Sequence, residues 1–113
     1  MAESEDATTR WRRGHHWRLE GKRVVVTGST KGIGLHVARE ALNLGAHVLL
    51  VSRSDADLAS TRDSLRAELG VPDAAVAHHA CDVGTDEGRG TLVAAATALW
   101  GGSCDALVNN VGT

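Results

Sequence analysis

The chain of 113 residues carries 12 basic and 14 acidic side chains, 13 glycines, two cysteines and no tyrosine. This length allows one small domain, and a net charge of −2 lacks the positive excess of a nucleic-acid binder. No apolar run approaches the roughly 20 residues that cross a bilayer, and the acidic opening MAESEDATTR resembles no secretory or transit signal. We therefore expect a cytoplasmic protein with reduced thiols and with no nucleic-acid or membrane partner.

Residues 1–20 show no regular apolar spacing, and we interpret them as a flexible amino-terminal arm. Trp11 and Trp17 stand among several arginines there, a mixture that could stack bases and contact phosphates. Glu3 and Asp6 in the same arm favour a solvated leader instead.

The first regular pattern is a β-branched run, Val24–Thr27, which ends at Gly28 and predicts a short buried strand. Helical spacing of apolar residues then predicts a first helix from about Gly32 to Leu44. The predicted apolar stripe of this helix consists of Ile33, Val37, Ala41 and Leu44. The next apolar run, His47–Val51, is short and predicts a second strand parallel to the first.

The second half of the chain repeats this alternation. Ser54 or Asp55 can cap a second helix. A weaker strand follows at Ala74–Cys81, where two histidines interrupt the apolar pattern. A third helix ends at Trp100, and Ala106–Val108 begins a fourth strand.

Alternating strands and helices build a parallel sheet with helices on both faces. The predicted fold class is therefore α/β: a partial Rossmann fold over residues 21–113, doubly wound, with about four strands in the order 3-2-1-4. Ligands bind such sheets at the carboxyl ends of the strands where the winding reverses, which here are the first and fourth.

The first strand and first helix are joined by a glycine-rich segment, Thr27-Gly28-Ser29-Thr30-Lys31-Gly32-Ile33-Gly34. Gly28 would permit the tight exit from the strand, Gly32 the approach of a diphosphate, and Gly34 the close packing of helix on strand. Free N–H groups at the positive end of the helix dipole would attract the anion. A purely structural turn is the alternative. A nucleotide triphosphatase loop is disfavoured because Ile33, not lysine, follows Gly32.

The pattern Thr-Gly-x-x-x-Gly-x-Gly resembles the cofactor signature of the short-chain dehydrogenase/reductase family. The segment Asn109-Asn110-Val111-Gly112 is similar to that family's Asn-Asn-Ala-Gly element, with valine for alanine. Residues 17–22 and the ending of the chain look most like plant tropinone reductase-like members, and the resemblance spans residues 17–113.

The end of the second strand predicts which dinucleotide is bound. An NAD site presents an acid there, about 20 residues past the loop, whereas this chain has Ser52 and Arg53. Arg53 together with Lys31 would bind a 2′-phosphate, so we predict NADP(H). The alternative is that Lys31 and Arg53 are merely solvated surface charges. The nearest acids, Asp55 and Asp57, suit the first turn of a helix.

The resemblance implies further contacts with the cofactor. Asp82 would bind the adenine amino group and Val83 would pack on the adenine face, although Asp82 could equally be a turn residue. Asn109 and Asn110 would stabilise the strand ends beside the adenine ribose. The predicted cofactor-binding residues are Gly28, Ser29, Thr30, Lys31, Gly32, Ile33, Gly34, Ser52, Arg53, Asp82, Val83, Asn109, Asn110 and Gly112.

The resemblance also implies a catalytic tyrosine, a lysine four residues later and a serine, all beyond the Asn-Asn-Ala-Gly element. This sequence stops first and contains no tyrosine. We therefore predict a truncated, amino-terminal portion of an NADP(H)-dependent reductase of small carbonyls, inactive alone. The alternative is a catalytically inactive nucleotide-binding or interaction module that pairs with a full-length relative. In either case the fourth strand would be an open edge for a homo- or hetero-oligomer.

A metal site is not predicted. The chain has no Cys-x-x-Cys pair, and adjacent histidines such as His78 and His79 point to opposite faces of a strand.

Overall fold

The computed structural model describes residues 18–110. Its strands and helices, in chain order, are β1 (Arg23–Thr27), α1 (Gly32–Asn43), β2 (His47–Ser52), α2 (Asp55–Leu69), a 3-10 turn (Asp73–Ala75), β3 (Val76–Ala80), α3 (Asp86–Trp100) and β4 (Ala106–Val108). The predicted alternation of strands and helices is confirmed.

The strands form one sheet of four in the order β3-β2-β1-β4, and every neighbouring pair is parallel. The predicted α/β class and the order 3-2-1-4 are therefore confirmed. The chain places β2 on one side of β1 and β4 on the other, so the winding reverses at β1. The carboxyl ends of β1 and β4 thus flank the position where such folds bind ligands.

Helices cover both faces of the sheet because successive side chains of a strand point to opposite sides. Val24 and Val26 of β1 belong to the larger core, which α1 and α2 cover. Val25 belongs to a smaller core, against which Leu92 and Ala96 of α3 pack. The two central strands are consequently almost entirely buried, as a parallel sheet requires.

The buried face of α1 includes Ala41 of the predicted stripe, and Val37 packs against the larger core, but Ile33 departs from the prediction. Ile33, the first residue of that stripe, is 73% exposed, and the buried residues of the helix are Gly34, Ala38, Ala41 and Leu42. Three of these four buried residues are glycine or alanine, which lets the helix lie close to β1. Ile33 instead lines an open apolar groove between α1 and β4.

The third strand is shorter than predicted. Ala75 donates its N–H to the carbonyl of Pro72 at 2.9 Å, which closes a 3-10 turn and delays the strand to Val76. Cys81 lies beyond the strand, although its N–H still bonds to the carbonyl of Ser52 at 2.9 Å. His78 contacts Asp55 of α2 while His79 contacts α3, so the two histidines do point to opposite faces.

Residues 1–17 and 111–113 lie outside the described residues, and with them lies most of the predicted arm, including Trp11 and Trp17. Leu19, which is described, donates its N–H to the carbonyl of Leu44 at 2.8 Å and packs against the larger core. Within residues 18–110, no helix is long and apolar enough to span a membrane. The same residues contain no cluster of three or more potential metal ligands.

Candidate nucleotide-binding site

The loop between β1 and α1 depends on glycine at three positions. Gly28 and Gly32 have φ angles of 61° and 62°, in the left-handed region that disfavours other residues. At Gly34 a Cβ atom would lie 2.1 Å from the carbonyl oxygen of Gly28. The first turn of α1 can therefore rest on the end of β1 only because residue 34 has no side chain.

The amino end of α1 is open to solvent. Gly32 is exposed, and a Cβ atom added there would meet nothing within 4 Å. Lys31 occupies the N-cap position without a side-chain hydrogen bond, whereas Ser54 caps α2 and Thr85 caps α3. Helix N-termini of this kind bind phosphates through their N–H groups and dipole. The geometry of the loop therefore fits the diphosphate of a dinucleotide.

Ser29 has a different environment from its neighbours in the loop. Its side chain is 0% exposed, and its hydroxyl accepts a hydrogen bond from the N–H of Val51 at 3.0 Å. Thr30 is half-buried. The Ser29 side chain thus faces β2, and the place of Ser29 among the cofactor-binding residues stays a prediction.

A hydrogen-bond network joins the carboxyl ends of β1 and β4. The hydroxyl of Thr27 accepts the N–H of Asn110 at 2.9 Å and lies 3.2 Å from Oδ1 of Asn109. The Asn110 amide donates to the carbonyl of Gly28 at 3.2 Å. The paired asparagines therefore hold the loop and both strand ends together. Sequence reasoning did not assign Thr27 a role, although a polar residue that closes an apolar strand was the available signal.

The end of β2 presents Ser52 and Arg53. Ser52 accepts the N–H of Ser54 through its hydroxyl at 3.3 Å, which shapes the turn into α2. Arg53 and Lys31 are exposed, and neither side chain has a hydrogen bond or ion pair with another residue of 18–110. The nearest acid, Asp55, is in the first turn of α2, with Oδ1 3.2 Å from Nε2 of His78.

Asp82 follows β3 and forms a turn. Its Oδ1 accepts the N–H of Gly84 at 2.8 Å, and its carbonyl accepts the Thr85 hydroxyl at 3.0 Å. A Cβ atom on Gly88 would lie 1.9 Å from that carbonyl, so α3 begins tightly against the turn. The turn role is present in the structure, and the adenine contact of Asp82 stays a prediction.

Two neighbours of Asp82 complete this side of the site. Val83 is half-buried against the smaller core. Burial raises the pKa of the Cys81 thiol, and the negative charge of Asp82 adds to the rise. Cys81 is therefore a protonated, unreactive thiol at neutral pH.

The structure brings most of the predicted residues to one edge of the sheet. The glycine loop, the Ser52–Arg53 turn and the asparagine pair lie at the carboxyl ends of β1, β2 and β4, and the Asp82 turn follows β3. Gly112 lies outside the described residues.

Comparisons with known proteins agree with this geometry. The model of the short chain dehydrogenase family matches residues 22–113, so the chain belongs to that family. A tropinone reductase homolog from Datura stramonium is 36% identical over 97 residues, which cover 86% of this chain and 35% of that protein. Dehydrogenase/reductase SDR family member 4 from Sus scrofa is 42% identical over 92 residues, with coverages of 81% and 31%.

Solved structures give the same result. The L-sorbose reductase of Gluconobacter frateurii, crystallised with NADPH and L-sorbose, superposes with a TM-score of 0.78 at 39% identity and covers 86% of this chain and 35% of its own. The chain therefore spans about a third of the length of the relatives it matches. Family and fold together support a nicotinamide cofactor.

Proposed function

We propose that the glycine loop, α1 and the end of β2 bind NADP(H) as the cofactor-binding portion of a short-chain oxidoreductase. The observation that carries this choice is the pair of exposed cations, Lys31 and Arg53, without a partner among residues 18–110. A 2′-phosphate accepts strong, charge-assisted hydrogen bonds from such side chains. The relative that was crystallised with NADPH supports the same cofactor.

An NAD-selective site is the competing possibility, and the arrangement of acids disfavours it. Such a site needs a carboxylate at the end of β2 to accept hydrogen bonds from the ribose hydroxyls. Ser52 and Arg53 occupy that place. Asp55 lies in the first turn of α2, beside His78 of β3.

The proposed reaction is the reduction of a small carbonyl to an alcohol. The similarity to a tropinone reductase homolog and to an L-sorbose reductase supports this reaction class. The family resemblance implies that a tyrosine donates the proton, and the 113-residue sequence has no tyrosine. We therefore infer that this chain binds the cofactor but reduces no substrate by itself. Its cytoplasmic location stays a prediction.

Calorimetric titration of the chain with NADPH and with NADH tests the proposal. NADPH is expected to bind more tightly, and replacing either cation, by Lys31→Gln or Arg53→Asp, should weaken NADPH roughly tenfold or more, as for a lost hydrogen bond to a charged group. Lys22→Gln is the matched control, since Lys22 is also exposed but precedes β1 at the other end of the sheet. Equal affinities for NADPH and NADH, or equal effects of Lys31→Gln and Lys22→Gln, would reject the NADP(H) assignment.

A second candidate function is an interaction module, and the open edge of the sheet favours it. Within residues 18–110, β4 pairs with β1 and no strand lies on its other side. Leu107 of β4 is 61% exposed. Grooves of about 740 Å³ and 240 Å³ flank the edge, and they include Ile33 and Val93 respectively. Unpaired edges with apolar surroundings tend to pair with another strand.

We propose a second copy of this chain as the occupant of that edge. A strand edge can pair with itself antiparallel about a two-fold axis, which satisfies the same N–H and C=O groups in both copies. Sedimentation of the chain should then show a dimer that Leu107→Lys converts to monomer. Leu99→Lys, an exposed leucine of α3 outside both grooves, is the control. A monomer at all concentrations would reject pairing between copies.

A further inference from the structure

We propose that Ser29 is the positioning residue that gives this site its selectivity for the 2′-phosphate. It would do so by fixing the loop that carries Lys31 against the strand that carries Arg53. This inference rests on the proposed NADP(H) function. In this role a buried hydroxyl that contacts neither cation fixes the distance between them.

The register of β1 and β2 explains why a side chain is needed at this point. The ladder between the two strands ends at the pair Thr27 and Val51. Gly28 then turns the chain away with a φ of 61°. In a parallel sheet the N–H and C=O of one residue point toward the same neighbouring strand. Both groups of Val51 therefore point toward the end of β1, where Thr27 is the last paired residue before the chain turns away.

Ser29 continues the contact with β2 beyond the last pair of the ladder. Its hydroxyl accepts the N–H of Val51 at 3.0 Å and lies 3.5 Å from the Val51 carbonyl oxygen. The N–H of Ser29 also donates to that carbonyl at 3.4 Å. The side chain is 0% exposed. These buried contacts tie the glycine loop directly to the end of β2.

This contact joins the two segments that carry the cations. Lys31 is two residues beyond Ser29, and Arg53 is two residues beyond Val51. Each two-residue segment reaches at most about 7 Å, so the Ser29–Val51 pair bounds the separation of the two Cα atoms. Neither cation has a partner among residues 18–110 that would hold it independently. Two cations can donate hydrogen bonds to one phosphate only when both lie close to it, because hydrogen bonds weaken steeply with distance.

The experiment compares the ratio of NADPH to NADH affinity in the wild-type chain and in Ser29→Ala. The expected result is a loss of roughly tenfold in NADPH affinity. The loss in NADH affinity should be smaller, because NADH shares the diphosphate but has no 2′-phosphate. Val76→Ala is the control for general destabilisation, since Val76 is fully buried in β3 and touches neither segment. It should leave the ratio unchanged. If Ser29→Ala does not fold, Ser29→Cys retains the volume with a weaker acceptor and replaces it.

A second readout is independent of any ligand. Amide hydrogen exchange at Val51 should be slow in the wild type and faster in Ser29→Ala, while exchange at Leu49, inside the ladder, stays slow. A wild-type chain that binds neither dinucleotide would reject the proposed function and this role of Ser29 together. A wild type that prefers NADPH and keeps its ratio in Ser29→Ala would reject the role of Ser29 alone.

Discussion

Replacing Gly34 by alanine tests the contact between α1 and the end of β1. The added Cβ would lie 2.1 Å from the carbonyl oxygen of Gly28 and 2.7 Å from Nδ2 of Asn110. Real Cβ contacts stay beyond 3.0 Å, so the helix must retreat by about 1 Å. Overpacking of this kind costs about 1–3 kcal/mol, and the higher helix propensity of alanine offsets up to about 1 kcal/mol. We expect a net loss of about 1–2 kcal/mol.

Thermal unfolding followed by far-UV circular dichroism measures this loss as a fall in Tm of roughly 5–15 °C for a domain of this size. Gly90→Ala is the matched control, because Gly90 lies within α3 and an added Cβ there meets nothing within 4 Å. It should raise stability by about 0.4–1 kcal/mol. The reasoning is refuted if the two variants shift Tm in the same direction. Gly34→Ala should also weaken NADPH binding, since the amino end of α1 moves.

Three other outcomes follow from the described contacts. Thr27→Val leaves the N–H of Asn110 without its acceptor. It should lower the free energy of unfolding, measured in urea, by about 1–3 kcal/mol, whereas Thr27→Ser, which keeps the hydroxyl, should lower it less. Iodoacetamide should modify the exposed Cys104 before Cys81, whose pKa is raised by burial, and mass spectrometry of the two peptides would show the reverse order if this is wrong. The hydrogen bond from Arg62 lowers the pKa of Asp63 below 3.8, so the stability it supplies is present above pH 3.8 and is lost as pH falls through the lowered pKa. Asp63→Asn should therefore flatten the acid limb of the stability profile, and an unchanged limb would contradict this.

Local patterns predicted the features that depend on neighbours in sequence. Gly34 stands at a fixed offset from Gly28, and the structure gives it the close packing expected from that spacing. His78 and His79 point to opposite faces because strand side chains alternate. The strand order followed from the regular alternation of strands and helices, for which few topologies are available.

The burial of α1 could not be predicted in the same way. Helical periodicity identified an apolar stripe that began at Ile33, but the buried face of a helix is set by the surface against which it packs. Here the first turn of the helix rests on the end of β1, which admits only glycine at position 34. Ile33 remains at the open groove beside β4.

The sequence by itself determined the strands, the helices and the glycine loop, because glycine, β-branched residues and helix stops act on the backbone within a few residues. Only the tertiary structure decided that Ser29 bonds to Val51 and Thr27 to Asn110, since each pair is distant along the chain and meets where parallel strands end. It also decided that Lys31 and Arg53 are both left exposed at the same edge of the sheet. Local preference thus specified the parts of the site, while the register of β1 with its two neighbours specified how those parts are joined.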